Sequence, residues 1–297
     1  MKNTFGHNYS VTIFGESHGE AIGCVIDGLA PGIKLDFIAS VMEKRKAKGR
    51  ISTQRKEADE LHIVSGYFNG HTTGTPLTIL IENTNTRSHD YEKTKYRLRP
   101  SHADYTANEK YMGWQDYRGG GHFSGRITAP LVAAGAIAMQ VLKEKGILIG
   151  SHIQKSRTIE DIPFSENIEE LQKQVDFAVL DDTAAADMKA MIEEAANEGD
   201  SVGGILESCI LNVPAGLGEP FFDSLESTLS HLLFSVPAVK GIEFGLGFGF
   251  SDVYGSEAND PITYDKGFHT ATNNNGGING GISNGMPIRI RTVIKPT

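Results

Sequence analysis

Val11-Thr12-Ile13-Phe14-Gly15-Glu16-Ser17-His18-Gly19-Glu20-Ala21-Ile22-Gly23-Cys24-Val25-Ile26-Asp27 is the stretch on which the fold class turns. Apolar, β-branched runs at residues 11–14 and 24–26 flank a short polar segment bounded by glycines, the pattern of two strands joined by a turn. Residues 15–19 also read Gly-x-Ser-x-Gly, which in a serine hydrolase marks a nucleophile elbow with Ser17 as the nucleophile. An elbow needs a helix directly after its serine. Here Gly23 and the Val25-Ile26 pair continue the chain as strand, so His18, on the turn, is the leading chemical group. A hydrolase using Ser17 and a purely structural turn stand as the alternatives.

Two further histidine segments lie downstream: Arg99-Pro100-Ser101-His102-Ala103-Asp104 and Arg118-Gly119-Gly120-Gly121-His122-Phe123-Ser124-Gly125-Arg126. Imidazole exchanges protons near neutral pH, and glycine lets backbone approach a ligand closely, so the three segments read as the lining of a proton-transfer site for an anion. The bases Lys44, Arg45, Lys46, Lys48 and Arg50 add a local positive field. Each segment has a blander reading. His102 could be a helix-entry residue with Ser101 as the cap, the basic run a solvated helix face, and the triple glycine a flexible loop. In the functional reading, the triple glycine and the helix start after Arg126 hold phosphate oxygens on backbone N–H groups. A metal hydrolase using His18, Asp104 and His122 is a further competitor, as is a protein that binds ligand without turnover.

Composition narrows the classes. Among 297 residues, 39% are hydrophobic and the net charge is -9, so the basic run is local and a general nucleic-acid binder is excluded. Cys24 and Cys209 are far apart, with no Cys-x-x-Cys spacing, and read as buried reduced thiols rather than metal ligands or a disulfide. No apolar leader precedes residue 10, and the longest apolar stretch, residues 129–142, is too short to span a bilayer, so a cytoplasmic protein is expected. Helical spacing appears at 38–48 with Asp36 as the expected N-cap, at 128–145, 187–198 and 223–234. Strand character appears at 77–81, 205–213, 242–248 and 288–294. Helices do not alternate one-for-one with strands, so an α+β layered fold fits better than a regular βαβ pattern.

The strings Phe14-Gly15-Glu16-Ser17-His18-Gly19, Val25-Ile26-Asp27-Gly28, Arg99-Pro100-Ser101-His102-Ala103-Asp104-Tyr105, Asp116-Tyr117-Arg118-Gly119-Gly120-Gly121 and Ser124-Gly125-Arg126 together resemble the chorismate synthase family. So do Val213-Pro214-Ala215-Gly216-Leu217-Gly218-Glu219-Pro220, Ala238-Val239-Lys240-Gly241 and Gly276-Gly277-Ile278-Asn279-Gly280-Gly281-Ile282-Ser283. The strings run in family order along essentially the whole chain. Ala30 stands where the family commonly has proline. The sequence stops at Lys295-Pro296-Thr297, where the family's flavin loop begins and before its Arg-His-Asp-Pro-like motif. The resemblance therefore implies one family-like domain over residues 1–297 lacking the family's C-terminal segment, with an inactive, ligand-binding form as the alternative.

The same resemblance implies 1,4-elimination of phosphate from 5-enolpyruvylshikimate 3-phosphate to give chorismate, the last common step of the shikimate pathway. Reduced FMN is required without net redox change, and NADPH is a candidate reductant. By matching positions, His18 protonates or hydrogen-bonds the departing phosphate and His102 faces the flavin. Ser17 and Ser124 supply hydrogen bonds, and Arg45, Arg50, Arg99 and Arg126 hold the substrate's phosphate and carboxylates or NADPH. The flavin is expected along His122, Phe123, Ser124, Pro237, Ala238, Gly280, Lys295, Pro296 and Thr297, with no metal. The implied fold is a β-α-β sandwich, helices between two mainly antiparallel sheets, assembled as a homotetramer with no nucleic acid or membrane partner.

Overall fold

In a computed structural model, which describes residues 2–46, 51–52, 57–84, 91, 95, 97–164, 167–168 and 176–297, the opening stretch folds as the paired strands β2 (Ser10–Gly15) and β3 (Ala21–Asp27), preceded by the short β1 (Thr4–Phe5). The chain divides into two units, Met1–Val141 and Leu142–Thr297. In the first, β4 (Leu61–Ser65) and β5 (Leu77–Glu82) complete a five-stranded antiparallel sheet of order β1-β2-β3-β5-β4. Period-two patterning explains β5: Leu77, Ile79 and Ile81 are buried while Thr78 and Leu80 are only partly so.

Against this sheet packs the long helix of the unit. After α1 (Ile38–Arg45) and α2 (Asp104–Tyr111) comes α3 (Thr128–Glu144), whose Ala129, Ala133, Ala136 and Ile137 share one core with Ile22, Cys24, Ile26 and the β5 isoleucines. Spacing of three and four residues puts these side chains on one face, and alanine lets the helix axis approach the sheet closely. Residues Gly125–Glu144 are long and apolar enough to cross a membrane by length and composition. The segment thus exceeds the apolar stretch read from sequence, and the burial of its small-residue face accounts for its hydropathy as that of a core helix.

Asp36 does not cap α1: Phe37 occupies the N-cap position and no side chain bonds the free N–H groups there. Ser101 likewise does not cap α2, whose N-cap is Ala103; Ser101 sits in the left-handed region at φ 57°. In the second unit, β6 (Leu148–Ser156), β7 (Ile159–Glu160), β8 (Gly204–Leu211), β9 (Val239–Phe244) and β10 (Ile288–Ile294) form an antiparallel sheet of order β9-β10-β8-β6-β7. Its longer helices among the described residues are α4 (Asp182–Asn197) and α5 (Leu225–Leu233). Helix α4 starts before the expected residue 187 because the Asp181 carboxylate accepts the Ala184 N–H, a true side-chain cap. All sheet ladders among the described residues are antiparallel, and the fold class is α+β.

Candidate active site

The β2–β3 turn carries Ser17, fully buried, and His18, only 8% exposed. Ser17 N–H donates to the Gly121 carbonyl at 3.1 Å, which ties the turn to the triple-glycine segment. Ser17 Oγ lies 3.0 Å from His18 Nδ1 and 3.4 Å from the Arg118 carbonyl oxygen. The His18 ring meets the Tyr91 ring edge-on, centroids 5.0 Å apart. Asn83 fixes the turn from the side: its Nδ2 donates to the carbonyls of Glu16 at 3.0 Å and Gly19 at 2.9 Å.

The triple glycine lies directly against both histidines. A Cβ at Gly119 would overlap the His18 Cε1 and Nδ1 atoms, and one at Gly120 would lie 3.2 Å from His102 Nε2. All three glycines adopt positive φ, 59°, 92° and 52°. Their absence of side chains is therefore a packing requirement imposed by two imidazoles as well as a backbone one. This differs from a flexible loop and gives the segment a role that phosphate contact alone would not.

His102 sits in a local ionic cluster. Its Nδ1 is 2.6 Å from Asp104 Oδ1, and the same carboxylate accepts from Arg99 N, Nε and Nη2 at 2.9, 2.8 and 2.7 Å. The Arg99 side-chain bonds, opposed by burial and helped by the charge of His102, hold the Asp104 carboxyl well below the usual carboxylate range. His102 is thus not the backbone-satisfying helix-entry residue of the blander reading. Arg118 is clamped in the same way by Asp116, at 2.9 and 2.8 Å from Nε and Nη2. Burial pushes the Asp116 carboxyl up, but the Arg118 hydrogen bonds and charge outweigh it, and the net shift is downward. His122 Nδ1 bonds the Gly15 carbonyl at 2.8 Å, so this histidine braces the first turn.

Arg126 and Arg45 meet on one carboxylate, Asp59. Arg126, with its side chain 4% exposed, pairs through Nη1 with Asp59 Oδ1, through Nε with Asn83 Oδ1 at 3.1 Å and through Nη2 with the Glu82 carbonyl at 3.2 Å. Arg45 Nη1 donates to Asp59 Oδ2 at 2.8 Å. Arg126 therefore departs from the expected open anion clamp: each of its nitrogens is held internally, because an unpaired guanidinium buried this deeply would cost several kcal/mol. The Glu57 carboxylate is a second negative charge acting on Arg45, beside Asp59. Arg45 Nε is buried with no hydrogen-bond partner among the described residues. Arg50 lies outside the described residues.

Ser124 caps the short turn before α3, its Oγ accepting the Arg126 N–H at 3.3 Å. Phe123, beside it, contributes to the wall of a cavity of about 350 Å³ that Tyr91, Lys95, Arg97, Arg99 and His102 also line. The lining holds three cationic residues, Lys95, Arg97 and Arg99, against two carboxylates, Asp104 and Asp116, each engaged by an arginine, a balance that suits an anion, and Phe123, Leu98 and Pro100 offer apolar surface to a flat ring. Among the described residues no cluster of His, Cys, Asp or Glu is arranged to hold a metal ion.

The remaining expected positions belong to the second unit. Ala238, at φ 70°, accepts the Lys295 N–H through its carbonyl at 2.9 Å, which joins Pro237-Ala238 to the start of Lys295-Pro296-Thr297. Gly280, at φ 61°, turns the short Ile278–Asn279 and Ile282–Ser283 ladder, and no atom lies within 4 Å of a Cβ built there. Asp59, Asn83 and Asp116 were not among the expected site residues, and Asp104 entered only as a ligand in the competing metal-hydrolase reading. Only Asp104 and Asp116 carried a local signal, an aspartate within two residues of a histidine or arginine already singled out.

An antiparallel α+β chain in which His102 lines a cavity that also carries three cationic residues, with the buried His18 packed against the same glycine segment, has the make-up of an enzyme that takes an anionic substrate. The chain belongs to the chorismate synthase family, whose pattern it matches over residues 9–297. It is 47% identical over 302 residues to the chorismate synthase of a strain of Dehalococcoides mccartyi, covering 100% of this chain and 83% of that protein. To the chorismate synthase of Thermococcus gammatolerans it is 48% identical over 295 residues, covering 98% of this chain and 82% of that one. A crystal structure of a chorismate synthase superposes with a TM-score of 0.74 at 29% identity, covering 96% of this chain and 83% of that chain.

Proposed function

We propose that this chain is a carbon–oxygen lyase that eliminates phosphate from 5-enolpyruvylshikimate 3-phosphate to form chorismate. Family membership across residues 9–297, together with two imidazoles packed on one glycine pair, carries the reading. In the reaction a C–O bond to phosphate breaks and a C–H bond at the far end of the same four-carbon unit loses its proton. One net carbon–carbon double bond forms, without net oxidation. The carbon acid is weak, so the protein's part is to position the reactant and to neutralise the leaving group's charge.

Reduced FMN is the proposed cofactor, with NADPH as its reductant. The cavity's volume, its Lys95, Arg97 and Arg99 wall and its apolar Leu98, Pro100 and Phe123 fit a phosphate-bearing planar ring. When bound, a reduced flavin supplies electron density to the reacting carbon system. Around it, His18, buried and braced by Ser17, would hold the proton that meets the departing phosphate oxygen, while His102 would face the cofactor and stabilise its reduced, anionic form by hydrogen bonding. Proton transfer of this kind contributes about 10²–10⁴-fold. Arg45 and Arg99 bind anionic groups of the substrate, with the unmatched Nε of Arg45 supporting that role.

A homotetramer is proposed for the assembly. Phe222, Phe248, Tyr264 and Phe268 of the second unit are each at least 70% exposed, more large apolar surface than an isolated unit ordinarily leaves in water. Cys24 and Cys209, buried thiols in no disulfide, support a reducing, cytoplasmic setting. Phosphate release measured anaerobically tests the chemistry: turnover is expected with chemically reduced FMN, and with oxidised FMN only after NADPH is added. Equal turnover with oxidised FMN alone would overturn the cofactor reading, and none under any condition would overturn the lyase reading.

A further inference from the structure

We propose that Asp104 is a positioning residue for His102, fixing the imidazole with its hydrogen on Nδ1 and its Nε2 presented beside Gly120. This rests on the reading of His102 as a group that acts in turnover. The argument begins with the carboxylate. Asp104 Oδ1 receives Arg99 Nη2 at 2.7 Å and His102 Nδ1 at 2.6 Å, while Oδ2 receives Arg99 N at 2.9 Å and Arg99 Nε at 2.8 Å. Four donors converge on two oxygens, which fills the acceptor capacity of a carboxylate and leaves no place for a proton on it.

An acceptor-only oxygen at 2.6 Å requires that His102 Nδ1 be the donor. A neutral His102 then carries its lone pair on Nε2, and a protonated one carries the exchangeable hydrogen there; either way the chemistry is confined to Nε2. That atom lies 3.2 Å from where a Cβ of Gly120 would be, and both residues line the cavity. The backbone prepares the contact. Ser101 takes the left-handed conformation at φ 57°, which a non-glycine residue adopts only at a cost, and Asp104 begins α2, where the helix dipole favours a negative side chain. A strained turn that brings Arg99, His102 and Asp104 together within six residues matches an orienting carboxylate behind a working imidazole.

Arg99 shares the carboxylate, so loss of Asp104 could act through either partner. Kinetics of the flavin-loaded enzyme on two backgrounds separates them. Asp104→Asn is expected to lower kcat roughly 10- to 100-fold with KM for 5-enolpyruvylshikimate 3-phosphate within about threefold. In a His102→Ala background the same substitution should lower kcat no further, because the group it positions is gone. An equal loss on both backgrounds, or an effect confined to KM, would overturn the proposal in favour of a structural or Arg99-mediated role. A His102→Ala enzyme with wild-type turnover would overturn it too, and would show that the reading of His102 itself had failed. Should Asp104→Asn not fold by circular dichroism, Asp104→Glu, which keeps the charge but displaces the carboxylate, is carried through the same pair with the same expected and overturning results.

Discussion

The His18 imidazole occupies the space that any side chain at Gly119 would need: its Cε1 and Nδ1 atoms overlap the position of a Cβ built there. The glycine is 101 residues away in sequence from the histidine it accommodates, and Ser17 and Arg118 bridge the same two segments. Gly119→Ala must either displace the ring or move the backbone, at a conformation, φ 59°, that alanine resists. Overpacking of this kind costs about 1–3 kcal/mol. Turnover is expected to fall roughly 10²-fold, the scale of losing a proton-transfer group, with a folded far-UV spectrum retained. Wild-type turnover in the variant would show that His18 does not need its present position.

Asp59 supports two guanidiniums at once, and its side chain and that of Arg126 are 2% and 4% exposed. Removing one partner from a buried pair leaves an uncompensated charge, typically about 3–5 kcal/mol. Asp59→Ala should destabilise the protein by that order in urea unfolding, and Arg126→Leu, which leaves the Arg45–Asp59 contact in place, by less. If Asp59→Ala unfolds at the wild-type urea midpoint, the network is not holding the two arginines.

Asn83 connects the histidine turn to Arg126, donating through Nδ2 to Glu16 and Gly19 and accepting through Oδ1 from Arg126 Nε. Asn83→Asp preserves the acceptor and the shape while deleting both donations. Two carbonyls would lose their partners, each loss worth about 1 kcal/mol or more. The expected result is a drop in kcat of roughly tenfold, with the Arg126 contact retained. A thermal midpoint lowered without any change in kcat would assign Asn83 to the fold alone.

In the second unit, His152 on β6 sits between Asp161 and Glu207, each 2.8 Å from a ring nitrogen, with Glu207 directly across the β6–β8 ladder. Burial disfavours the imidazolium, but the two carboxylates outweigh it and raise the His152 pKa; for both carboxyls burial is likewise overcome, chiefly by hydrogen bonds to backbone N–H groups at Asp161 and by His152 at Glu207, and both are lowered. A raised histidine pKa stabilises the fold fully below its unfolded value, about 6.5, and that contribution is lost as pH rises through the folded value. Lowered carboxyl values stabilise above about 4.3 and the contribution is lost as pH falls through the folded values. The stability advantage of wild type over His152→Gln should therefore peak between about pH 4.5 and 6.5 and shrink on both sides. Urea unfolding from about pH 3 to 9 checks it; an advantage that rises through about pH 6.5 and then stays level would mean that His152 is neutral in the fold.

Much of the chain was legible locally. The Ile288–Ile294 strand stands where alternation of isoleucine with arginine and threonine put it, because a half-buried strand imposes period two on its own residues. The β2–β3 hairpin and α3 follow from the same kind of short-range pattern. Helix starts were less legible. Asp36 has a capping residue's chemistry without its geometry, whereas Asp181, six residues before the helical periodicity read at 187–198, performs the cap.

At the site, sequence by itself determined which residue types are present: the three glycine-flanked histidines, the arginines and the ordered strings shared with the family. It also contained, within six residues, the whole of the Arg99–His102–Asp104 cluster, since that contact is made by one turn of chain. Only the tertiary structure decided which arginine is held inside. Arg126 and Arg45 look equally suited to an anion, but α1 and the turn before α3 converge on Asp59, and a buried guanidinium must find a carboxylate wherever the fold supplies one. The Gly119–His18 contact is of the same kind: hydrogen bonding and packing across 101 residues are set by where strands and turns end up, and no local period records them.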